Sequence, residues 1–379
     1  MDLLPWTAAR DTVGGRPTVD RWFADQGTPL GCDLARSGAA SMSLGQLLEL
    51  TGTGSADLLE MPLDYGPGRG GARLAAAIRR SLGAGESASV VVAGGAVEAL
   101  LLLCLASADR GDVVIGTPAY GALLSAPAAA ARPLRLVSVW NPVAGLHLDG
   151  IAAGVTPATG MVVINSPHNP SGASASLGEI DELAGRCAAN GALLVVDEVA
   201  RGTLNPDAPS AVHSRGFAAG TTVVLGDVSK SLGLGGLRIG WLAAADAGLA
   251  ARAAAAKDAT TVASSTLSEY VAAIALENAP LLLRRVTSAA RTNLGTLSQF
   301  LATIGEGERW TPPADGLVAF PALSTPRGID ELVADLRRRD VGVVPGWLFG
   351  EPNRLRLGLG GAPEMFSEAL ARAGEALAR

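Results

Sequence analysis

The segment Gly226–Trp241, which reads GDVSKSLGLGGLRIGW, is the most informative stretch of this chain. It follows the β-branched run Thr222–Leu225 and places Lys230 in a loop of serines and glycines, a poor position for a surface charge. Burial lowers the pKa of an amine and makes it nucleophilic enough to bond a carbonyl carbon. Ser229 and Arg238 can supply a hydroxyl and a fixed charge to a phosphate, and glycine lets the backbone approach closely. The segment therefore predicts a lysine nucleophile beside an anion site.

Two other interpretations of this segment stay open. It can be a structural glycine-rich turn with an incidental lysine. Its glycines also imitate a dinucleotide-binding fingerprint, although the helix start and the downstream ribose-binding acid do not follow in the required order. Lysine occurs only at positions 230 and 257, so the search for a catalytic amine reduces to Lys230 and Lys257.

Composition limits the classes of function. The chain has 379 residues, 48% of them hydrophobic, which is enough to bury a substantial core. Its net charge of -6 argues against nucleic acid as a partner, because phosphate backbones need a basic surface. Cys32, Cys104 and Cys187 have no metal-ligand spacing, so we expect free buried thiols in a reducing cytoplasm and no metal site. No signal peptide is predicted.

Two structures compete for the apolar stretch Ser89–Ala108, in which Glu98 is the single charged residue. A membrane-spanning helix needs about 20 apolar residues. Gly94 and Gly95 interrupt the stretch directly after a run of valines and an alanine, which favours a buried strand, a turn and a buried helix. We therefore predict that the chain does not enter a membrane.

Short β-branched runs alternate with alanine- and leucine-rich helical stretches between residues 85 and 245. The predicted strands are Ala88–Val92, Val113–Ile115, Arg135–Val139, Met161–Asn165, Ala192–Val196, Thr222–Leu225 and Gly240–Ala244. This alternation predicts an α/β fold with a mainly parallel seven-stranded sheet and helices on both faces. Ligands of such sheets bind outside the carboxyl ends of the strands.

The two ends of the chain follow another pattern, with helices such as Ile329–Arg338 and Pro363–Ala378 and only short strands. We predict a large domain at residues 49–284. A smaller α+β domain is expected from residues 1–48 and 285–379 together.

Two polar segments follow predicted strands. Asn169 lies in the turn NSPHNPSG, where its amide can donate to a phenolate oxygen, although a plain turn explains the prolines equally well. His168 in the same turn is interpreted as a loop residue. Asp197 ends a buried strand, a costly position for an acid unless a cation such as a protonated ring nitrogen pairs with it. Its neighbour Glu198 is expected to face solvent or a helix.

A glycine turn between a strand and a helix predicts an anion site, because helix N-termini present free N–H groups and the positive end of the helix dipole. We expect the amides of Gly95, Ala96 and Val97 to hold a phosphate. Tyr120 follows another strand and can stack on a planar ring, whereas Tyr65 lies in a loop that can reach a neighbouring subunit. Each tyrosine taken alone is more often a packing residue than a functional one.

Taken in order, these segments resemble the class I and II aminotransferases, which are pyridoxal 5′-phosphate (PLP) enzymes of fold type I. The resemblance runs over nearly the whole chain. It implies PLP as cofactor and Lys230 as the residue that binds it through a Schiff base. It assigns Asp197 to the pyridine nitrogen, Asn169 to the ring hydroxyl and Tyr120 to stacking on the ring.

The resemblance also implies how phosphate and substrate are held. Ser229, Arg238 and the turn 95–97 become the phosphate site, and Tyr65 enters it from the partner chain of a homodimer. Arg356 matches the arginine that grips the substrate α-carboxylate through two parallel hydrogen bonds. Gly38 matches the small residue that lets this carboxylate approach, and Asn169 is a further substrate contact.

These residues imply chemistry at the α-carbon of an amino acid. The resemblance favours an aminotransferase that passes the amino group to a keto acid. Three positions depart from the family pattern, because Ala200 replaces a tyrosine, Ala259 replaces an aromatic residue and Asp227 replaces a serine or threonine.

Specialised members of the fold tolerate such losses. The stretches Asp33–Gly38 and Gly316–Pro321 are similar to enzymes of the capreomycidine synthase type, which implies a cyclase, lyase or oxidase acting on an arginine-derived substrate. A non-catalytic scaffold of this fold is the third possibility. It is disfavoured because Lys230 and Asp197 are both present.

Overall fold

A computed structural model describes residues 12–13, 16–17, 19–26, 30–141, 145–307 and 310–378. Seven strands form its central sheet, and we number them in chain order. They are β1 (Ser89–Ala93), β2 (Asp112–Thr117), β3 (Leu134–Ser138), β4 (Thr159–Asn165), β5 (Leu193–Asp197), β6 (Thr222–Asp227) and β7 (Gly240–Ala244). Each lies within two residues of a predicted strand at both ends, so the seven-stranded prediction is confirmed.

The strands lie in the order β1-β7-β6-β5-β4-β2-β3. Strand β7 runs antiparallel to both of its neighbours, and the other adjacent pairs are parallel. In the middle of the sheet Asp197 pairs in register with Asn165 on β4 and with Leu225 on β6. The carboxyl ends of three adjacent strands therefore meet at one edge, where the sequence places its polar residues.

Both faces of the sheet are covered, which explains why β4, β5 and β6 are buried along their whole length. Because successive side chains of a strand point to opposite faces, Val162 and Ile164 pack into one hydrophobic core and Met161 and Val163 into the other. The helices of this part of the chain are Leu44–Thr51, Ala56–Leu59, Ala72–Leu82, Ala96–Ala106, Ala122–Ala129, Asp149–Gly154, Leu177–Ala189, Arg215–Ala218, Ala247–Ala256 and Thr266–Glu277.

The apolar stretch after Ser89 folds as predicted. Strand β1 ends at Ala93, Gly94 and Gly95 form the turn, and the helix Ala96–Ala106 follows. Among the described residues, no helix combines the length and the apolar character that crossing a membrane requires.

The remaining elements are shorter strands and the terminal helices. Val318–Ala319, Leu355–Gly358 and Val344–Pro345 form an antiparallel sheet, and Val341–Gly342 pairs in parallel with Cys32–Asp33. Two further two-stranded sheets pair Thr12–Val13 with Arg16–Pro17 and Trp140–Asn141 with Gly145–Leu146. The helices here are Val19–Gln26, Ala279–Thr303, Gly328–Arg338 and Pro363–Leu377, and short 3₁₀ turns span Ala211–His213, Gly235–Leu237, Lys257–Ala259 and Gly346–Phe349.

These elements enclose a third hydrophobic core. Apart from Leu204, its buried members come from Cys32, Leu34 and residues 286–376. This agrees with a small domain built from both ends of the chain, although the helix Ala279–Thr303 runs through the expected boundary at residue 284. The division into 49–284 and its two flanking segments stays a prediction, and we propose that this core is the centre of the small domain.

The three cysteines are free and buried. Burial raises the pKa of the Cys104 and Cys187 thiols to about 12, so both stay protonated at neutral pH.

The third core can be tested at Phe366, which is fully buried in it. Phe366→Ala should lower the stability of the small domain by about 3–5 kcal/mol, because truncating a buried ring leaves a cavity. Amide hydrogen exchange should accelerate in Pro363–Leu377 and stay unchanged in β5. Leu105→Ala, at a partly exposed position, is the control and should change little. Equal acceleration in β5 would contradict two separate domains.

Candidate active site

The site lies at the carboxyl ends of β4, β5 and β6, because these strands end in Asn165, Asp197 and Asp227. Two residues separate the end of β6 from Lys230. One cavity at this edge is lined by eight of the predicted site residues, namely Ala96, Val97, Tyr120, Asn169, Asp197, Ser229, Lys230 and Arg238. A second cavity shares Tyr120, Ser229, Lys230 and Arg238 with it and adds Gly38 and Arg356.

Lys230 is half-buried, and its loop packs on the segment Ser37–Ala39. Its Nζ donates a hydrogen bond to Ser37 Oγ at 3.3 Å, and its carbonyl accepts from Ala39 N at 2.9 Å. A Cβ built on Gly38 would lie 3.5 Å from the Lys230 backbone, an ordinary van der Waals contact, so Gly38 packs directly against the lysine. Ser37 was missed at the sequence level, although it stands directly beside the glycine that was selected.

Asp197 is only 5% exposed, and burial raises the pKa of its carboxyl to about 7. The nearby carboxylates of Asp227 and Glu198 raise this pKa further, whereas a hydrogen bond from Val199 N and the charge of Lys230 oppose them. A carboxylate buried at such a cost is best stabilised by a cation. The position therefore suits a protonated ring nitrogen.

A chain of hydrogen bonds connects the strand ends to Arg356. Asn165 Nδ2 donates to the carbonyl of Asp197 at 3.0 Å, and its Oδ1 accepts from Asn169 N at 2.7 Å. Arg356 is 1% exposed, and it donates to Asn169 Oδ1 at 3.3 Å and to Ala35 O at 2.6 Å. This orientation of the Asn169 amide leaves its Nδ2 as the donor for an acceptor in the cavity. Asn165 is a second residue that sequence reasoning missed, since it was interpreted only as the end of a strand.

The predicted anion turn is built around Gly95, which is buried and has a φ of +114°. Arg238 Nη2 donates to Gly94 O at 2.9 Å, and a Cβ added to Gly95 would collide with this guanidinium. Ser229 Oγ donates to Asp227 Oδ1 at 2.7 Å. The turn, the arginine and the serine therefore lie together at the start of the helix Ala96–Ala106, where N–H groups are available to an anion.

Tyr120 lines both cavities, Tyr65 lines neither, and His168 lines the first. Tyr65 is 90% exposed and lines neither cavity, so this chain alone does not bring it to the site. His168 is buried and contacts Ser171 Oγ and Pro118 O, each at 2.7 Å. Burial lowers its pKa to about 4, so the ring is neutral and ties two loops together.

The sequence predicts that Glu198 faces either solvent or a helix, and the structure excludes solvent. Glu198 is buried and forms an ion pair with Arg201 at 2.9 Å. Its second oxygen accepts from Ala211 N at the start of a 3₁₀ turn, so the helical alternative is the one observed. The arginine three residues further along the chain could not be recognised as its partner from spacing alone.

Ala200 lies in the wall of the first cavity, next to Gly316 and Pro167. A Cβ built on Gly316 would lie 3.8 Å from Ala200 Cβ and 3.1 Å from Pro167 Cβ. Asp315, which is 1% exposed, fixes this wall by accepting hydrogen bonds from the backbone of the loop after Ala200. The donors are the amides of Gly202, Leu204 and Asn205.

The donor set fits pyridoxal 5′-phosphate, the cofactor that the sequence resemblance implies. An amine is present for its carbonyl carbon, a carboxylate with a raised pKa for its ring nitrogen and an amide for its ring hydroxyl. The glycine turn leaves no room for a side chain beside Arg238, which suits an approaching phosphate. Among the described residues, no group of three or more histidine, cysteine, aspartate or glutamate side chains is arranged to hold a metal.

Known proteins resemble this chain along most of its length. The profile of the family described as Aminotransferase class I and II matches residues 61–372. The capreomycidine synthase of Streptomyces vinaceus is 31% identical over 361 residues, which cover 93% of this chain and 91% of that enzyme. An aspartate aminotransferase of Geobacillus stearothermophilus is 29% identical over 286 residues, which cover 72% of each chain. A solved structure of the PLP-dependent cyclase OrfR is 30% identical and has a TM-score of 0.82 over 97% of this chain and 99% of its own.

The family profile, the sequence relatives and the solved structure all point to the fold whose mainly parallel sheet is described above. The family match covers well over half of the chain, and the relative at 31% identity covers nearly all of it. This chain therefore belongs to the class I and II aminotransferase family and is a PLP-dependent enzyme of fold type I.

Proposed function

We propose that this enzyme is an aminotransferase, which takes the amino group of an α-amino acid and passes it to a keto acid. One observation supports the proposal: the two cavities described above are lined by an amine, a buried carboxylate and a buried guanidinium. They belong to Lys230, Asp197 and Arg356. Together they can bind an amino acid by its carboxylate and move the proton of its α-carbon.

When bound, PLP supplies an electron sink that makes the α-proton of an attached amino acid removable. Lys230 would hold the carbonyl carbon of the cofactor and, once released, act as the base that takes and returns this proton. Ser37 orients its amine through their hydrogen bond. Asp197 would keep the ring nitrogen protonated, because a charged partner relieves the cost of burying its carboxylate. Asn169 would donate to the ring hydroxyl.

Separate groups of residues would hold the phosphate and the substrate carboxylate. The amides of Gly95, Ala96 and Val97, with Ser229 and Arg238, would hold the phosphate. Arg356 would bind the α-carboxylate through two parallel hydrogen bonds, next to Asn169 and Gly38. Tyr120 would stack on the ring.

A homodimer completes the proposed site. Tyr65 is 90% exposed, and the nearby side chains of Leu59 and Leu63 are 80% and 86% exposed. Large apolar side chains on a loop of one chain are typical of an interface. In the dimer Tyr65 would reach the phosphate of the partner subunit.

A second candidate function is a cyclase, lyase or oxidase of natural-product biosynthesis that acts on an arginine-derived amino acid. It would share the proton removal by Lys230 and differ in the next step, the loss or replacement of a side-chain substituent. The space at Ala200 and Gly316 and the likeness to capreomycidine synthase favour it. A non-catalytic scaffold is the least supported alternative, because both Lys230 and Asp197 line the cavity.

Product analysis decides between these functions. The holoenzyme should convert an amino acid from a broad panel, arginine derivatives included, to its keto acid only when a second keto acid is supplied. Mass spectrometry of the products, with and without pyruvate or 2-oxoglutarate, checks this. Lys230→Ala is the control and should form no product. A cyclised, shortened or oxidised product formed without an acceptor would sink the aminotransferase and support the alternative.

Arg356→Lys should lower kcat/KM by the equivalent of about 2–4 kcal/mol, because lysine keeps the charge and loses the paired hydrogen bonds. PLP content should stay near normal. The matched control is Arg354→Lys on the same stretch, since Arg354 donates to Phe320 O and lines neither cavity. An unchanged kcat/KM in Arg356→Lys, or equal losses in both variants, would show that Arg356 does not bind the carboxylate.

Asp197→Asn should stabilise the cofactor-free protein at pH 8 while it weakens PLP binding. The folded-state pKa of about 7 lies above the ordinary value, so the folded protein retains a proton that the unfolded chain releases. Its free energy of unfolding therefore falls as pH rises from about 4 to about 7. The advantage of the variant should grow over the same window to the order of 4 kcal/mol, because each pKa unit corresponds to about 1.4 kcal/mol. Urea unfolding at pH 4.5 and pH 8 measures it, and a variant that is less stable at pH 8 would refute the explanation.

A further inference from the structure

The second lysine of the chain, Lys257, has no part in the proposed function and is fully buried. Its Nζ donates to Val92 O and to Ser264 Oγ, each at 2.9 Å. Burial of an ammonium group disfavours its charged form, and the pKa of Lys257 is lowered for this reason. Apart from Lys230 and the three histidines, every other basic residue of the chain is arginine, so an amine at this position calls for a physical explanation.

Lys257 and Glu98 hold the two sides of the glycine turn. Lys257 binds the carbonyl of Val92 before the turn, and Glu98 Oε2 accepts from Gly94 N within it. The other oxygen of Glu98 accepts hydrogen bonds from two threonine hydroxyls in the segment 257–261. They are Thr260 and Thr261, at 2.7 and 2.9 Å. The segment 257–261 therefore fixes the turn through a buried cation and a carboxylate.

The same part of the chain fixes the loop that carries Tyr65. Glu269, a second carboxylate close to Lys257, accepts from Gly71 N at 2.7 Å. Thr266 Oγ1 donates to Asp64 O at 3.3 Å. Val92 N, on the strand whose carbonyl binds Lys257, donates to Arg69 O at 2.9 Å. One end of this loop, at Arg69 and Gly71, is thus bonded to groups close to the buried amine.

We propose that Lys257 is a positioning residue for the cofactor phosphate, which acts by fixing the turn Gly94–Val97 and by balancing the charge of Glu98. The proposal rests on the assignment of this turn as the phosphate site under the proposed function. Glu98 lies in the first turn of the helix, where its carboxylate would repel a phosphate. An ammonium behind the turn offsets this repulsion. A turn held in place also loses less conformational freedom when the anion binds.

The test compares holoenzyme reconstituted with PLP and with pyridoxal, which lacks the phosphate. In Lys257→Met the Kd for PLP should rise by about tenfold or more, whereas the Kd for pyridoxal should change by less than about threefold. The shift of the ratio between the two constants is the result that a merely structural role would not produce. An equal rise for both ligands, or no rise for PLP, would overturn the proposal.

Arg132→Met is the matched control. Arg132 is a buried cation that donates to Ser107 O and Arg110 O just beyond the other end of the helix Ala96–Ala106. Its loss should lower stability and leave the ratio of the two constants unchanged. Ser264→Ala removes one of the two hydrogen bonds of Lys257 and serves if Lys257→Met does not fold. It should shift the ratio in the same direction by a smaller factor, and an unchanged ratio in Ser264→Ala would then count against the proposal.

Gly95→Ala separates failure of this proposal from failure of the proposed site. It places a side chain against Arg238 inside the turn and should weaken PLP more than pyridoxal. If Gly95→Ala leaves the ratio unchanged, the turn is not the phosphate site. If Gly95→Ala lowers the preference for PLP and Lys257→Met does not, the site stands and the role of Lys257 falls.

Discussion

The burial of the Asp197 carboxylate at the end of β5 is the constraint on which the rest of the site depends. Burial disfavours a charge at this position and raises the pKa of the carboxyl to about 7, so a cation beside it would stabilise the ionised form. The sheet enforces the position, because Asp197 pairs in register with Asn165 on one side and Leu225 on the other. Under the proposed function the ring nitrogen of PLP would supply this positive charge, and binding of the cofactor and stability of the fold would then be linked through one side chain.

A similar arrangement recurs around the cavity, where each group that would touch a ligand is held by a distant segment of the chain. Arg356 is fixed by the carbonyl of Ala35, Lys230 by the segment Ser37–Ala39, and the wall at Ala200 by Asp315. Such contacts keep side chains in place before a ligand arrives, which reduces the entropy lost on binding. Under the proposed function, the fate of the substrate after proton removal would depend on the shape of the wall, where an alanine and a glycine lie side by side.

Sequence alone predicted the fold and much of the candidate site, because the signals were local. Each strand is recognised from its own residues, and the polar residue that follows it must lie at the carboxyl edge of the parallel sheet. Asparagine, aspartate and a serine-lysine pair follow three of these strands. Contacts between distant residues could not be read in the same way. Ser37 contacts Lys230 across 193 positions of the sequence, and Lys257 contacts Val92 across 165. Separations of this size produce no periodic pattern in the sequence from which the contact could be predicted. Glu198 illustrates the limit, since a charged neighbour of Asp197 gave no sign that it would be buried against Arg201.

The scarcity of lysine has a practical consequence for handling the protein. Of its two lysine side chains, Lys257 is sealed in the interior, and Lys230 lines both cavities. Reagents that acylate lysine would find few lysine amines on the surface and, if Lys230 binds the cofactor as proposed, would compete with PLP for the same nitrogen. Attachment to a resin, a dye or a biosensor chip through lysine would select molecules that have lost PLP and block them. Coupling through surface carboxylates avoids this, because acidic side chains are plentiful and many of them are exposed.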